Sequence, residues 1–263
     1  MPGKPKQRLA GTRVLVTNDD GIHAPGLKVL ERIARSLSDD VWVVAPEHEQ
    51  SGASHSLTLT MPLRLRRISR RRFAVQGTPT DCVMMALNHI LKDGRPELIL
   101  SGVNRGANMG EDVTYSGTIA AAMEGTLLGV PAIALSQSFA SRTVLHWPTA
   151  EQFAPDLICR LLRQGWPRNV LININFPDVP PAQVDGTEFC RQGRRNISDL
   201  VIDERVDARE QRYYWLGFRR ESGSPARGTD LDAIARNRIA VTPLHLDLTE
   251  TRTLKALKAA LQE

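Results

Sequence analysis

At 263 residues the chain is long enough for a sizeable core in one large domain or in a domain with an elaborated extension. Its 41% hydrophobic and 24% charged residues exclude wholesale disorder, and no apolar run reaches transmembrane length. The net charge of +5, carried by short arginine runs such as Arg70 to Arg72, Arg194 with Arg195 and Arg219 with Arg220, permits anionic ligands. It brings no nucleic-acid motif with it, so nucleic acid is not an expected partner.

Three scattered cysteines, Cys82, Cys159 and Cys190, make neither a disulfide framework nor a thiolate metal site, and the cytoplasm is the expected compartment. Met1 to Arg8 is polar and basic, with no signal-peptide core behind it. Residues 1–12 are therefore expected to be a flexible basic tail.

The elements begin at Val14 to Thr17, an apolar run that reads as a strand and ends in the polar turn Asn18-Asp19-Asp20-Gly21. Leu27, Leu30, Ile33, Ala34 and Leu37 follow Pro25 and Gly26 at helical spacing, and Val41 to Val44 reads as a second buried strand. Strand, helix, strand is the opening of a parallel α/β sheet. Phe73 to Val75, a helix from Thr80 to Leu91, and a strand at Leu98 to Leu100 continue it. A glycine- and asparagine-rich loop is expected from Ser101 to Gly110, then a tightly packed helix from Ser116 to Leu128. Pro131 to Leu135 and Val170 to Ile174 are further strands around a helix at Phe153 to Leu162, closing an α/β core over 13–176.

After Phe176 the prolines 177, 180 and 181 change the texture. Leu200 to Val206 and Arg212 to Phe218 alternate as the arms of a hairpin, Ile239 to Pro243 returns to strand character, and Thr249 to Leu261 reads as a terminal helix. Residues 177–263 are read as an extension of the core, short of large apolar residues for a core of their own.

In open sheets of this kind ligands sit beyond the carboxyl ends of the strands, and the polar loops all follow strands. Asp19 and Asp20 offer carboxylates, while Ser51 and Asn104 can offer neutral oxygens, a set suited to hard divalent cations. The same Asn-Asp-Asp-Gly string is also an ordinary turn in which the acids accept from backbone amides. Gly77-Thr78-Pro79-Thr80 and Ser116-Gly117-Thr118 each precede a helix, where free amides can hold an anion or where Thr80 and Ser116 serve simply as caps. A dinucleotide fingerprint and a Walker loop are both absent.

Taken together, the strings do more than any one of them. Thr17-Asn18-Asp19-Asp20-Gly21-Ile22-His23-Ala24-Pro25-Gly26, Ser51-Gly52-Ala53-Ser54, Gly77-Thr78-Pro79-Thr80-Asp81-Cys82-Val83, Ser101-Gly102-Val103-Asn104-Arg105-Gly106-Ala107-Asn108 and Thr114-Tyr115-Ser116-Gly117-Thr118 stand in an order that resembles the SurE family of stationary-phase survival nucleotidases. Gly228-Thr229-Asp230 and Val241-Thr242-Pro243-Leu244 carry the resemblance toward the end.

The resemblance implies a Rossmann-like α/β fold, one divalent cation per subunit (Mg2+ or Mn2+), and hydrolysis of nucleoside 5′- and 3′-monophosphates, sometimes of short polyphosphate. It places metal ligands at Asp19, Asp20, Ser51 and Asn104 and phosphate contacts at Asn108, Ser116, Gly117 and Thr118. It also implies a homodimer or homotetramer with the C-terminal hairpin or tail exchanged between subunits. The basic tail before Arg13 and His55, where many relatives carry asparagine, are departures from it.

For the chemistry, attack by water is expected, with Asp19 nearest to take its proton and His23 a possible general acid for the leaving alkoxide. His23 equally suits a structural bond within its turn. An aspartyl nucleophile would need an acid two residues on, where Gly21 and Ile22 stand instead. A broad phosphomonoesterase or exopolyphosphatase, and a non-catalytic nucleotide-binding protein, are the alternatives.

Overall fold

The computed structural model describes residues 9, 11–139, 145–194, 200–218 and 224–261. Most of the expected tail and the arginines at 195, 219 and 220 lie outside the described residues.

The strands β1 (Arg13–Thr17), β2 (Asp40–Pro46), β3 (Arg64–Ser69), β4 (Arg72–Gln76), β5 (Leu98–Arg105), β6 (Ala132–Gln137), β7 (Val170–Phe176), β8 (Thr187–Phe189) and β11 (Ile239–His245) form one sheet in the order β3-β4-β2-β1-β5-β6-β7-β11-β8. From β4 to β7 all neighbours are parallel; β3 and β11 run antiparallel to β4 and β7. The remaining strands, β9 (Leu200–Val206) and β10 (Arg212–Phe218), pair only with each other, as the expected hairpin.

Both faces of the sheet are covered. Val14 and Val16 point into a core shared with α1 (Pro25–Leu37) and α5 (Trp147–Gln164), while Leu15 points into a second core with α2 (Pro79–Met85) and α4 (Gly117–Leu127). This is why β1 reads as a continuous apolar run, without the alternation of a half-exposed strand. The apolar spacing of α1 leaves Leu27, Leu30, Ile33 and Leu37 fully or almost fully buried. Burial of each such side chain stabilises the fold by about 1.5–3 kcal/mol. Gly26 is required at its start, because a Cβ there would lie 1.9 Å from the carbonyl oxygen of Val103.

Two short helices, α3 (Asp112–Tyr115) and α6 (Asp230–Ala235), and the terminal α7 (Thr251–Leu261) complete the chain. No side chain of α7 is buried. No described helix is long and apolar enough to cross a membrane.

Four local readings change. The strand expected at Leu98 to Leu100 continues to Arg105 as β5, where a loop was expected. Gly102, at φ 127°, lets the chain bulge between Ser101 and Asn104, after which pairing with β6 resumes at Asn104 and Ser136. The helix expected to be capped by Thr80 is capped by Thr78, whose hydroxyl accepts from the amide of Asp81 while the Asp81 carboxylate accepts from the amide of Thr78. The strand β3 has charged side chains on an exposed edge, which hides it from a search for apolar runs. The helix expected at Phe153 to Leu162 begins earlier, at Trp147.

Candidate active site

Strand order reverses at β1: β2 and β4 lie on one side, β5, β6 and β7 on the other. The crevice between the carboxyl ends of β1 and β5 is thus a topological switch point, the place where open α/β sheets take ligands. Asp19 and Asp20 follow β1, and Asn104 lies near the end of β5.

The turn after β1 is tightly held. Asn18 donates its amide to the carbonyl of Gly21 at 3.0 Å, and Gly21 has a φ of 97°, open to glycine at little cost. The next loop packs on it: Ile22 donates its N–H to the Pro46 carbonyl and Gln50 to the Asp19 carbonyl, both at 2.8 Å. A Cβ on Gly21 would stand 3.2 Å from the carbonyl carbon of His48.

Asp19 is 4% exposed. Its Oδ1 accepts from the Thr118 hydroxyl at 2.5 Å. Burial, and then the charge of Asp20, push its carboxyl up to about 7, while the Thr118 hydroxyl, with backbone amides, pulls the other way. Burial also raises Asp20, against the Arg105 amide, which donates to Asp20 Oδ2 at 3.2 Å; Glu49 raises it further. Two carboxylates share a crevice from which water is largely excluded, an arrangement that favours either a proton or a cation between them.

The amino end of α4 abuts this pair. Ser116 caps it, its Oγ accepting from the Ile119 amide at 3.1 Å. Gly117 has no room for a side chain: a Cβ would lie 2.8 Å from Asp19 Cβ and 3.1 Å from Pro79 Cγ. The helix start, with its positive dipole end, therefore approaches Asp19 as closely as backbone allows, and the Thr118 backbone joins its hydroxyl in bonding that carboxylate.

The expected site residues separate into two groups. Asp19, Asp20, Gly117 and Thr118 are in direct contact or adjoin residues that are, and Asn104 precedes the Arg105 amide that binds Asp20. Asn104 itself donates to the Gly106 carbonyl at 2.9 Å, which fixes its amide by the NH2 end. Ser51 follows Gln50, is exposed, and donates to Glu49 Oε1 at 2.9 Å. His23 is exposed and makes no hydrogen bond with another described residue.

Asn108 is buried in an amide network. Its side chain donates to Ser136 Oγ, its backbone N–H to Asn175 Oδ1, and its carbonyl accepts from Asn173 and Asn175. Thr118 likewise uses its hydroxyl on Asp19. All three side chains that the resemblance assigns to phosphate, those of Asn108, Ser116 and Thr118, are engaged with the protein itself.

Sequence reasoning passed over Asp230 as a working residue, although it lies in a matched string. It is fully buried and accepts from the backbone N–H groups of Gly110 (3.0 Å), Gly193 (2.7 Å) and Leu231 (2.8 Å). Gln192 meanwhile donates to the Gly110 carbonyl at 2.8 Å. Glu124 was also missed, though an acid among the small residues of α4 was a visible signal; its Oε2 meets His55 Nε2 at 2.9 Å.

Among the described residues no three histidine, cysteine or acidic side chains gather to hold a metal by themselves. The donor set in question has two carboxylates, an amide and a hydroxyl, which is hard-cation chemistry.

Fold and crevice define a doubly wound α/β protein with an acidic pair set against a helix amino terminus. Residues 14–199 match the model of the family described as survival protein SurE. The chain is 62% identical over 251 residues to the 5′-nucleotidase SurE of Parvibaculum lavamentivorans, covering 95% of this chain and 91% of that one. It is 58% identical over 252 residues to the 5′-nucleotidase SurE of Caulobacter vibrioides, covering 95% and 96%. The crystal structure of the Sure protein from Aquifex aeolicus superposes with a TM-score of 0.82 at 37% identity, covering 94% of this chain and 99% of that one. The chain belongs to the SurE family.

Proposed function

We propose that this protein hydrolyses nucleoside 5′-monophosphates, and 3′-monophosphates as well, to nucleoside and inorganic phosphate, with a divalent cation held by Asp19, Asp20, Asn104 and Ser51. The observation that carries this reading is the contact of Thr118 with Asp19, which sets an anion-accepting helix start against a carboxylate pair in the switch-point crevice. Family membership and relatives named 5′-nucleotidases support it.

The residues fit a hard cation on three counts. The donors are oxygens, the two acids are crowded and poorly hydrated, and Gly117 leaves the crevice unfilled where any other residue would place a Cβ on Asp19. When bound, a divalent cation supplies charge neutralisation and acidifies a water for attack on phosphorus.

The chain's own groups do the rest. At the start of α4 the Ile119 amide is capped by Ser116 and the Thr118 backbone turns to Asp19, so the Gly117 amide and the positive end of the helix are what remain to face phosphoryl oxygens, where charge must be stabilised during transfer. Thr118 fixes the rotamer of Asp19, and the Arg105 amide fixes Asp20. Asp19, buried beside Asp20 and next to where the attacking water would stand, is the nearest group to accept its proton. His23 follows the acidic turn by three residues from Asp20 and is exposed, so its imidazole is a candidate general acid for the departing alkoxide. Asn108 and Asp230 hold the Asn104 to Gly110 segment in place through bonds of their own.

The hairpin β9 and β10 presents exposed Ile202, Tyr214, Trp215 and Leu216, which supports its use in forming a homodimer or homotetramer. Free and buried cysteines support a cytoplasmic setting.

The test is Asp20→Asn assayed with Mg2+ or Mn2+ for phosphate release from adenosine monophosphate. Loss of more than about a hundredfold in kcat/KM with an unchanged circular dichroism spectrum is expected. Full activity in this variant refutes the assignment.

A further inference from the structure

The loop that follows β2 carries Ser51 and then crosses α3, α4 and α2. It is fastened as it goes. Gln50 donates its backbone N–H to the Asp19 carbonyl at 2.8 Å. Ser54, at φ 53°, donates its hydroxyl to the Thr114 carbonyl at 2.8 Å and its N–H to the Tyr115 carbonyl at 3.3 Å, at the end of α3. The Ser56 carbonyl accepts from the Thr78 hydroxyl at 2.8 Å, and Thr58 is bound to Asp81, both at the start of α2.

Between Ser54 and Ser56, His55 reaches α4. Its Nε2 stands 2.9 Å from Glu124 Oε2. A carboxylate oxygen only accepts, so Nε2 carries the hydrogen. Glu124 is 8% exposed, and a carboxylate held that far from water is costly without a donor. His55 is the donor it has.

Glu124 lies two helical turns, about 10 Å, beyond Gly117. The other fixings of the loop are to β1, α3 and α2; among the described residues the hydrogen bond of His55 alone joins it to α4. The same helix holds Asp19 through Thr118, so one rigid element carries both the acidic turn and the loop. Ser51 is placed to register any shift between them. Its partner Glu49 accepts from it at 2.9 Å and lies close enough to Asp20 for the Glu49 charge to raise that carboxyl.

We propose that His55 and Glu124 are positioning residues for the cation: their bond latches the loop onto the helix that holds Asp19, and so sets where Ser51 stands against the acidic pair. This role rests on the reading of Asp19, Asp20, Asn104 and Ser51 as a divalent-cation site.

The experiment takes the metal-free protein and compares it with His55→Ala, His55→Gln and the double variant His55→Ala, Glu124→Ala. Glutamine carries its amide nitrogen as many bonds from Cα as the ring Nε2, so the donor is kept. The double variant removes the buried carboxylate along with its partner, so no unpaired charge is left to unsettle the fold. Amide hydrogen exchange is followed at residues 51–56, and Mn2+ binding by calorimetry. In both alanine variants exchange at 51–56 is expected to accelerate by at least about tenfold, with the β1 and β5 amides unchanged. Mn2+ affinity is expected to fall by about tenfold in the same two proteins, and His55→Gln to recover both properties. Mn2+ affinity undiminished in the double variant overturns the role, whatever the loop does. A loss that His55→Gln fails to recover, or one accompanied by equal acceleration in β1 and β5, reduces the pair to general support of the fold and overturns it too. Should the unsubstituted protein bind no Mn2+, the cation-site reading itself fails and takes the role with it.

Discussion

Thr118, the second residue of α4, donates its hydroxyl to Asp19 Oδ1 at 2.5 Å across a gap of 99 positions in the chain. The bond joins the acidic turn to the helix that faces it, and it removes one lone pair of a buried carboxylate from competition. Thr118→Val keeps the shape and removes the donor. With the donor gone, the Asp19 carboxyl rises further, and the cation binds less tightly at neutral pH because the proton competes better. Titration with Mn2+ at pH 7 is expected to show affinity weakened by about 10- to 100-fold.

The metal-free protein has a pH signature of its own. Asp19 titrates near 7 in the fold against 3.8 for an ordinary carboxyl, so between those values the folded chain holds a proton that the unfolded chain has released. Stability from this group is fully present below about 4 and is lost as pH rises toward 7, with a slope of at most about 1.4 kcal/mol per pH unit. Urea denaturation of the metal-free protein across this window shows the decline, and Asp19→Asn flattens it. Saturating divalent cation opposes the loss by binding the folded state alone.

Gly117→Ala tests the closeness of the helix start. The added Cβ meets Asp19 Cβ at 2.8 Å and Pro79 Cγ at 3.1 Å, and neither neighbour is a flexible side-chain end. A cost of about 1–3 kcal/mol in denaturation is expected. The larger effect falls on turnover, since the displaced Asp19 belongs to the site, and kcat is expected to drop by at least about tenfold.

Asp230→Asn tests the clamp on the loop beyond β5. Asparagine has one acceptor oxygen where the carboxylate has two, so its NH2 faces a backbone N–H donor from Gly110 or from Gly193 and Leu231. A buried donor left without a partner costs about 1–3 kcal/mol, readable as a lower midpoint in urea. Amide exchange at Gly110 and Gly193 is expected to accelerate in the same variant.

Much of this architecture could be read from the residues. Buried parallel strands such as Leu98 to Leu100 and Val170 to Ile174 announce themselves as apolar runs, and the α1 stripe has a period no strand shares. The hairpin arms alternate cleanly because they stand away from the main sheet. What escaped were elements whose residues answer to position. β3 is an edge strand full of arginine, and the end of β5 bulges at a glycine that looks like a loop residue.

The site divides in the same way. The acids of the first turn could be read because two carboxylates after a strand suit a cation, and the ordered strings around them single that reading out from an ordinary turn. The tasks of Thr118 and Asn108 could not, since a hydroxyl or an amide beside an expected phosphate gives no hint that another side chain has already claimed it. Asp230 was hidden by distance: its partner Gly110 is 120 positions away.

That distance bears on how the protein comes into being. β11 inserts beside β7, and Asp230 just ahead of it grips Gly110, so the loop following β5 has its final hold only after residue 245 has left the ribosome. A nascent chain ending at Phe176 carries both acids, the α4 start and the Asn173 and Asn175 amides that hold Asn108, but leaves the Gly110 end of the loop without its carboxylate anchor. The far end of that loop is thereby among the last parts of the molecule to be fastened as the chain is made.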